Sequence, residues 1–273
     1  PEKISNALLS LHAKTHNYLL FSKEDLYHTL DKEKVDIFLE MFSCKPTTLK
    51  SFRYYTENNP IELAQILEIS ANKYLHICQK QIPIAIYRRM YDFLAKDESL
   101  KDKIRRHREK ELERKVAAIF RSVFNDSSSF LYENYFVING HEQDLLILTK
   151  GTAIIVETKA SKLREPFRDM QKAVVRLKDD FKEAVQYGYD QCKRMESFFL
   201  GHAAVEIRDN KGNLLDTVNP SNIHSVFSIV VTLERFGSLQ TDLNLLLKKD
   251  SADNYPWSVY IDDLEIFLLT LKH

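Results

Sequence analysis

The spacing of apolar residues changes partway along this chain of 273 residues. Up to about residue 98 the spacing is helical: Ser22 is placed to cap "KEDLYHTL", "KEKVDIFLEMF" repeats at helical intervals, and Asn59 with Pro60 forms a helix start before "IELAQIL". "PIAIYRRMYDFLAK" continues the pattern, and only "NKYLHI" suggests a short strand. A charged helix is predicted over 100–124, followed by the strand-like runs "SFLYENYFVI", "DLLILT" and "TAIIVETK", a helical stretch over 166–200, and the strand "HSVFSIVVTLE". "LQTDLNLLLKK" is expected to be helical, and "WSVYIDDLEIFLLTL" reads as either strand or helix, or one after the other. The order helix, strands, helix, strand predicts an α/β fold. The expected organisation is a mostly helical first domain, residues 1–98, and a second domain, residues 99–273, that carries the sheet.

Within this apolar region, residues 142–162 carry four charges: Glu142, Asp144, Glu157 and Lys159. Gly151 marks a two-residue turn with Lys150, which fixes the register. Thr149 then opposes Thr152, Asp144 opposes Glu157, and Glu142 opposes Lys159, all on one face. Leu146, Leu148, Ala153 and Ile155 share that face, and Leu145, Ile147, Ile154 and Val156 fill the other, so the strands are covered on both sides. Carboxylates on opposed residues, with Cβ atoms roughly 4.5–5.5 Å apart, repel unless a cation lies between them. Asp144 and Glu157 therefore suggest a site for Mg²⁺ or Mn²⁺, with Lys159 beside it.

The preceding helix supplies a further acid. At about 100° per residue, Leu112, Val116, Ile119, Phe120 and Val123 form one apolar stripe, with Glu113 at its edge and Glu111 on the opposite flank. Glu113 is the preferred partner for the site, and Glu109, one turn earlier, is the runner-up.

Composition narrows the function. Lys plus Arg equals Asp plus Glu at 39 each, so any affinity for polyanions must be local. Residues 101–121 hold nine basic against four acidic side chains and residues 159–194 hold ten against six, so positive charge gathers around the acidic cluster. Arg105, Arg106, Arg108, Lys162, Arg164, Arg168 and Lys172 are candidate phosphate contacts; "SFRYY" and "IYRRMYDF" are candidate base-stacking stretches. The three cysteines lie far apart and the histidines form no close ligand pair, which argues against disulfides and zinc and for a reducing, cytoplasmic setting. No segment reads as a membrane span or signal peptide, and the start at Pro1 suggests a processed chain or a fragment. Only six glycines occur and no phosphate-cradling loop is present, so ATP-driven work would need a partner chain.

Glu113 in "ELERKVAAIF", then Asp144, then Glu157 and Lys159 as E-T-K on an apolar strand, resembles the PD-(D/E)XK nuclease superfamily. The similarity is greatest to its nuclease-related and Holliday-junction-resolvase-like branches and covers roughly residues 105–235. Gln143 stands where many members have proline. The resemblance implies a restriction-endonuclease-like mixed sheet flanked by helices. It also implies a metal held by Asp144, Glu157 and the Thr158 carbonyl, with Glu113 holding a second metal or a metal-bound water and Lys159 acting on the attacking water and the phosphate. Some members add a glutamine on the following helix, for which Gln191 is preferred over Gln186. The activity implied is Mg²⁺- or Mn²⁺-dependent phosphodiester hydrolysis, in DNA before RNA, in defence or repair, with the first domain selecting substrate or recruiting a partner. A catalytically silent nucleic-acid-binding or assembly module, and an enzyme acting on another substrate, are the alternatives.

Overall fold

The computed structural model describes residues 19–50, 52, 59–76, 81–137, 141–164, 169–201 and 203–272. Arg168 and most of "SFRYY" lie outside the described residues. The chain divides into two compact units, Pro1–Lys101 and Asp102–His273.

The first unit contains β1 (Leu20–Ser22), α1 (Lys23–Tyr27), α2 (Lys32–Phe42), β2 (Ser43–Cys44), α3 (Pro46–Leu49), α4 (Pro60–Leu63), β3 (Ile66–Ser70), β4 (Lys73–His76) and α5 (Gln81–Leu94). Ser22 caps α1 through a reciprocal pair of hydrogen bonds with Asp25, and the Asn59 side chain accepts from Ile61 N–H at the start of α4. Helical residues outnumber strand residues in this unit, and a four-stranded sheet of order β1-β4-β3-β2, beyond the one short strand expected at "NKYLHI", runs among them. Ile66 and Tyr74 from that sheet pack with Val35, Leu39 and Phe42 of α2 and with Ala85 of α5. Its strands are two to five residues long, too short for alternation to register in the sequence. A cleft of about 550 Å³ opens in this unit beside Lys45, Asn59, Leu63, Glu68 and Arg89.

α6 (Glu98–Val123) crosses the division and leads into β5 (Ser129–Val137), β6 (Gln143–Thr149) and β7 (Thr152–Lys159). Next come α7 (Met170–Phe181), a π turn at Lys182–Gln186 and α8 (Tyr187–Phe199). The chain continues through β8 (Val205–Arg208), β9 (Leu214–Val218), β10 (Ser225–Thr232), α9 (Ser238–Thr241), β11 (Trp257–Tyr260) and α10 (Ile261–Leu271). The segment 257–271 is therefore strand then helix. Seven strands form one mixed sheet of order β11-β10-β7-β6-β5-β8-β9, in which β10 runs parallel to both β7 and β11 and the remaining pairs are antiparallel.

The β6–β7 turn has Lys150 and Gly151 both at positive φ, 47° and 77°, as a two-residue hairpin requires. Gly151 is also required sterically, since a Cβ there would lie 2.8 Å from His224 Cδ2. The pairs run from Thr149↔Thr152 to Leu145↔Val156, in the expected register. One face of the sheet places Leu145, Ile147 and Val156 against α6 and α10. The other places Leu146, Ala153 and Ile155 against Phe181, Ala184, Tyr189, Cys192 and Met195 of the α7–α8 region. The hairpin is thus buried on both sides.

Two further expectations fail locally. The β8–β9 hairpin, which was not anticipated, extends the sheet beyond β5. "LQTDLNLLLKK" forms only α9 and a short 3₁₀ turn at Leu243–Leu245, because its polar groups are engaged elsewhere. Gln240 Oε1 accepts from Phe236 N–H, and Gln186 grips both the N–H and the carbonyl of Lys248, at 2.8 Å each. Among the described residues no helix is long and apolar enough to cross a membrane.

Candidate functional site

At the C-terminal end of β7, polar residues interrupt an apolar strand whose inward positions are otherwise Ala153, Ile155 and Val156. Glu157 is completely buried, with an exposure of 0%. Its Oε2 receives the Lys159 ammonium at 3.4 Å, while Oε1 has no hydrogen-bond partner among the described residues. Burial, and then the charge of Asp144, push the Glu157 carboxyl up to about 8 against the pull of Lys159.

The β6–β7 ladder stops at Leu145↔Val156, and the Asp144 side chain takes over from the backbone there. Asp144 Oδ2 accepts from Thr158 N–H at 2.7 Å and from the Thr158 hydroxyl at 2.8 Å, with no hydrogen bond to Oδ1 among the described residues. The ladder's end at this point also leaves the expected oppositions of Asp144 with Glu157 and of Glu142 with Lys159 unformed as strand pairs. Glu142 is exposed, and Lys159 pairs with Glu157, two residues away on its own strand.

Glu113 is half-buried on α6, whose apolar side packs on the opposite face of the sheet from α8. Burial, followed by the charges of Asp144, Glu142 and Glu109, pushes its carboxyl up to about 7. Glu109 pairs with Arg105 at 3.2 Å and Glu111 with Arg114 at 2.7 Å, so these two acids are held by the helix's own arginines.

The Lys159 stem is positioned by a close approach of α8. A Cβ at Gly188 would lie 2.7 Å from Val230 Cγ1 and 3.6 Å from Lys159 Cε. Gln191, half-buried, stands one turn beyond Gly188 on the same helix. Gln186 is engaged with Asp190 and Lys248 and is structural. Behind the site, Cys192 Sγ lies 3.9 Å from the Ile155 carbonyl and 3.8 Å from that of Ile229, and burial pushes the thiol well above its ordinary range.

Several candidate phosphate contacts have protein partners. Arg164 donates through N and Nε to the buried Asp180, at 2.9 and 2.6 Å, which ties the segment after β7 to α7. Arg108 bonds Glu234 at 3.1 Å and Arg105 bonds Glu109. Arg106, Lys162 and Lys172 are exposed, and Lys162 too has an interaction partner.

Among the described residues no three His, Cys, Asp or Glu side chains converge closely enough to hold a metal by themselves. Mg²⁺ commonly uses only one or two carboxylates and keeps several waters. The partnerless Oε1 of buried Glu157, beside Asp144, fits that donor set.

No family model matches the chain, and no curated protein matches it. A solved structure, protein VC1899 from Vibrio cholerae, is similar at 14% identity with a TM-score of 0.25, over 97% of this chain and 49% of that one. The chain spans about half the length of that protein, and a likeness at this level carries no argument about fold or activity.

Proposed function

We propose that the second unit is a metal-dependent nuclease of the PD-(D/E)XK type in a restriction-endonuclease-like arrangement, hydrolysing phosphodiester bonds in DNA. The observation that carries this reading is Glu157, a wholly buried carboxylate with one partnerless oxygen, flanked by Asp144 and Lys159 at the end of a sheet otherwise apolar on both faces. A buried carboxylate costs several kcal/mol unless a cation compensates it, and a lysine at 3.4 Å compensates in part. Asp144, Glu157 and the Thr158 carbonyl are assigned to hold Mg²⁺ or Mn²⁺, and Glu113 to hold a second ion or a metal-bound water. Bound there, the ion would polarise a phosphoryl oxygen and lower the pKa of water.

The chain's own groups do the rest. Lys159, with its stem held against α8, places a cation where negative charge develops on the phosphate. Gln191 is assigned to orient substrate. Arg106, Lys162 and Lys172 supply exposed positive charge for a nucleic-acid backbone. The first unit is assigned to substrate selection or partner recruitment, and the buried free thiols of Cys44 and Cys192 support a cytoplasmic setting.

A second reading, a catalytically silent nucleic-acid-binding or assembly module, is favoured by one observation. Asp144 is satisfied by Thr158, and Lys159 by Glu157, within the protein itself. Incubation with linear, supercoiled, branched and single-stranded DNA and with RNA, in Mg²⁺ or Mn²⁺, decides between the two. The nuclease reading expects metal-dependent cleavage that Asp144→Ala and Lys159→Ala abolish. Cleavage surviving both substitutions, or no cleavage of any substrate, would overturn it.

A further inference from the structure

The chain leaves the sheet at Lys159 and is tied down again within a few residues. Leu163 packs against the core on the α8 side, and Arg164 is bound to Asp180 in the last turn of α7. Asp180 is 2% exposed, and this one arginine takes both of its oxygens. Oδ2 accepts from the Arg164 main-chain N–H at 2.9 Å, and Oδ1 accepts from Nε at 2.6 Å. Holding the backbone and Nε together closes a ring through the side-chain torsions of Arg164, so its guanidinium is fixed in one orientation. The buried carboxylate is compensated by these two donors alone.

The other donors of Arg164 remain open. Its side chain is 48% exposed, and Nη1 and Nη2 have no hydrogen-bond partner among the described residues. Neighbouring arginines differ: Arg105 uses Nη1 on Glu109, Arg108 uses Nη2 on Glu234, and Arg114 uses Nε and Nη2 on Glu111. In Arg164 the inner edge is bonded and the outer pair of amino groups faces solvent. Two such groups in a fixed plane match two oxygens of one phosphate. Fixing a long side chain before a ligand arrives also removes the entropy cost of ordering it on binding. Arg164 is five residues beyond Lys159, a reach of at most about 18 Å. A phosphate held there lies within roughly five phosphates of the one facing Lys159 along a single strand.

We propose that Arg164 is a substrate-binding residue that grips a phosphate flanking the scissile one through Nη1 and Nη2, and that buried Asp180 is the positioning residue that aims it. This role rests on the nuclease reading of the second unit, and adds to it the place where the nucleic-acid backbone is held. Asp180, with exposed Asp179 and Glu183 close by along the chain, offsets the positive charge of Arg164. The grip therefore depends on directed donors and not on accumulated charge. Lysine, a point charge without the planar pair of donors, cannot replace arginine in such a contact.

The test measures binding of fluorescein-labelled duplex DNA to the full chain by fluorescence anisotropy in EDTA, cleavage kinetics in Mg²⁺, and thermal melts of each variant. Arg164→Lys keeps the charge and removes the paired donors. It is expected to weaken DNA binding roughly tenfold and to raise KM with kcat unchanged. Asp180→Asn removes an acidic charge, so attraction by charge alone would tighten DNA binding, whereas loss of aim is expected to weaken it severalfold. Asp179→Asn removes the same charge without touching the hydrogen bonds of Arg164, and is expected to bind no more weakly than the parent. Equal DNA affinity and KM in Arg164→Lys and the parent would overturn the grip and leave the nuclease reading standing. Binding in Asp180→Asn as tight as the parent's, or tighter, would overturn the positioning role. Loss of cooperative melting in Asp180→Asn would mark that carboxylate as holding the fold and would also overturn its positioning role, with Arg164→Lys still deciding the grip. A parent chain that neither binds nor cleaves nucleic acid would remove the underlying reading and this role with it.

Discussion

Asp144 and Thr158 are joined across the diverging ends of β6 and β7 by two hydrogen bonds to one carboxylate oxygen, at 2.7 Å from the main-chain N–H and 2.8 Å from the hydroxyl. The side chain of Asp144 thereby takes a donor that the strand ladder no longer reaches, and its other oxygen has no hydrogen bond among the described residues. Thr158→Val keeps the shape and the main-chain bond but removes the hydroxyl. Since hydrogen bonds to charged groups contribute roughly 1.5–3 kcal/mol, stability should fall by about 1–2 kcal/mol at this partly buried position, read from the denaturant midpoint. Under the proposed function, cleavage should also fall by about tenfold as Asp144 gains freedom.

Glu157 sets a pH dependence. Folded, its carboxyl holds a proton up to about 8, whereas its ordinary value is 4.5. The folded chain therefore binds more protons than the unfolded chain between those values. Its contribution to stability is fully present below about pH 4.5 and is lost as pH rises towards 8, with a ceiling of roughly 5 kcal/mol. Thermal melts without metal should show Glu157→Gln flattening this slope. A slope that persists in Glu157→Gln would assign it to other groups. Metal binding needs the ionised form, so metal-induced stabilisation should grow over the same pH range.

Lys159 offsets the buried charge of Glu157 at 3.4 Å. Lys159→Met keeps the stem beside Gly188 and removes the ammonium. Breaking a buried pair leaves an uncompensated charge and costs roughly 3–5 kcal/mol, but here only where Glu157 is ionised. The variant should be close to the parent in stability at pH 5.5 and clearly weaker at pH 8.5, as measured by chemical unfolding at both. Equal loss at both pH values would indicate that packing of the stem, not charge, is what the substitution disturbs.

Gly188 lets α8 approach β10 and the Lys159 stem. In Gly188→Ala the new methyl would meet Val230 Cγ1 at 2.7 Å, which forces the helix outward. Overpacking of this kind costs about 1–3 kcal/mol and should lower the melting temperature along with cleavage. Gly188→Ala combined with Val230→Ala removes the clashing methyls and should recover most of the loss. Additive damage in the double variant would show that the tight approach is not the reason for the glycine.

The sequence by itself determined the local features. Turn chemistry at Lys150–Gly151 fixed the β6–β7 register, because both residues accept positive φ and a two-residue loop admits one pairing. The helical stripe of Leu112, Val116, Ile119 and Phe120 placed Glu113 at its edge, and unbroken apolar runs announced strands covered on both faces. Tertiary structure decided what depends on non-local geometry. In the first unit β1 and β2 join the β3–β4 hairpin only by pairing across distant segments, and the 240–248 segment gives up helix because Gln186 and Gln240 engage its backbone and that of Phe236. Glu142 stands apart from Lys159 because the strands diverge beyond Leu145, a property of sheet twist and packing that no pairing rule carries. Tyr135 packs on the α8 side because one left-handed residue, Asn134 at a φ of 48°, reverses the alternation of β5, which no period-two pattern announces.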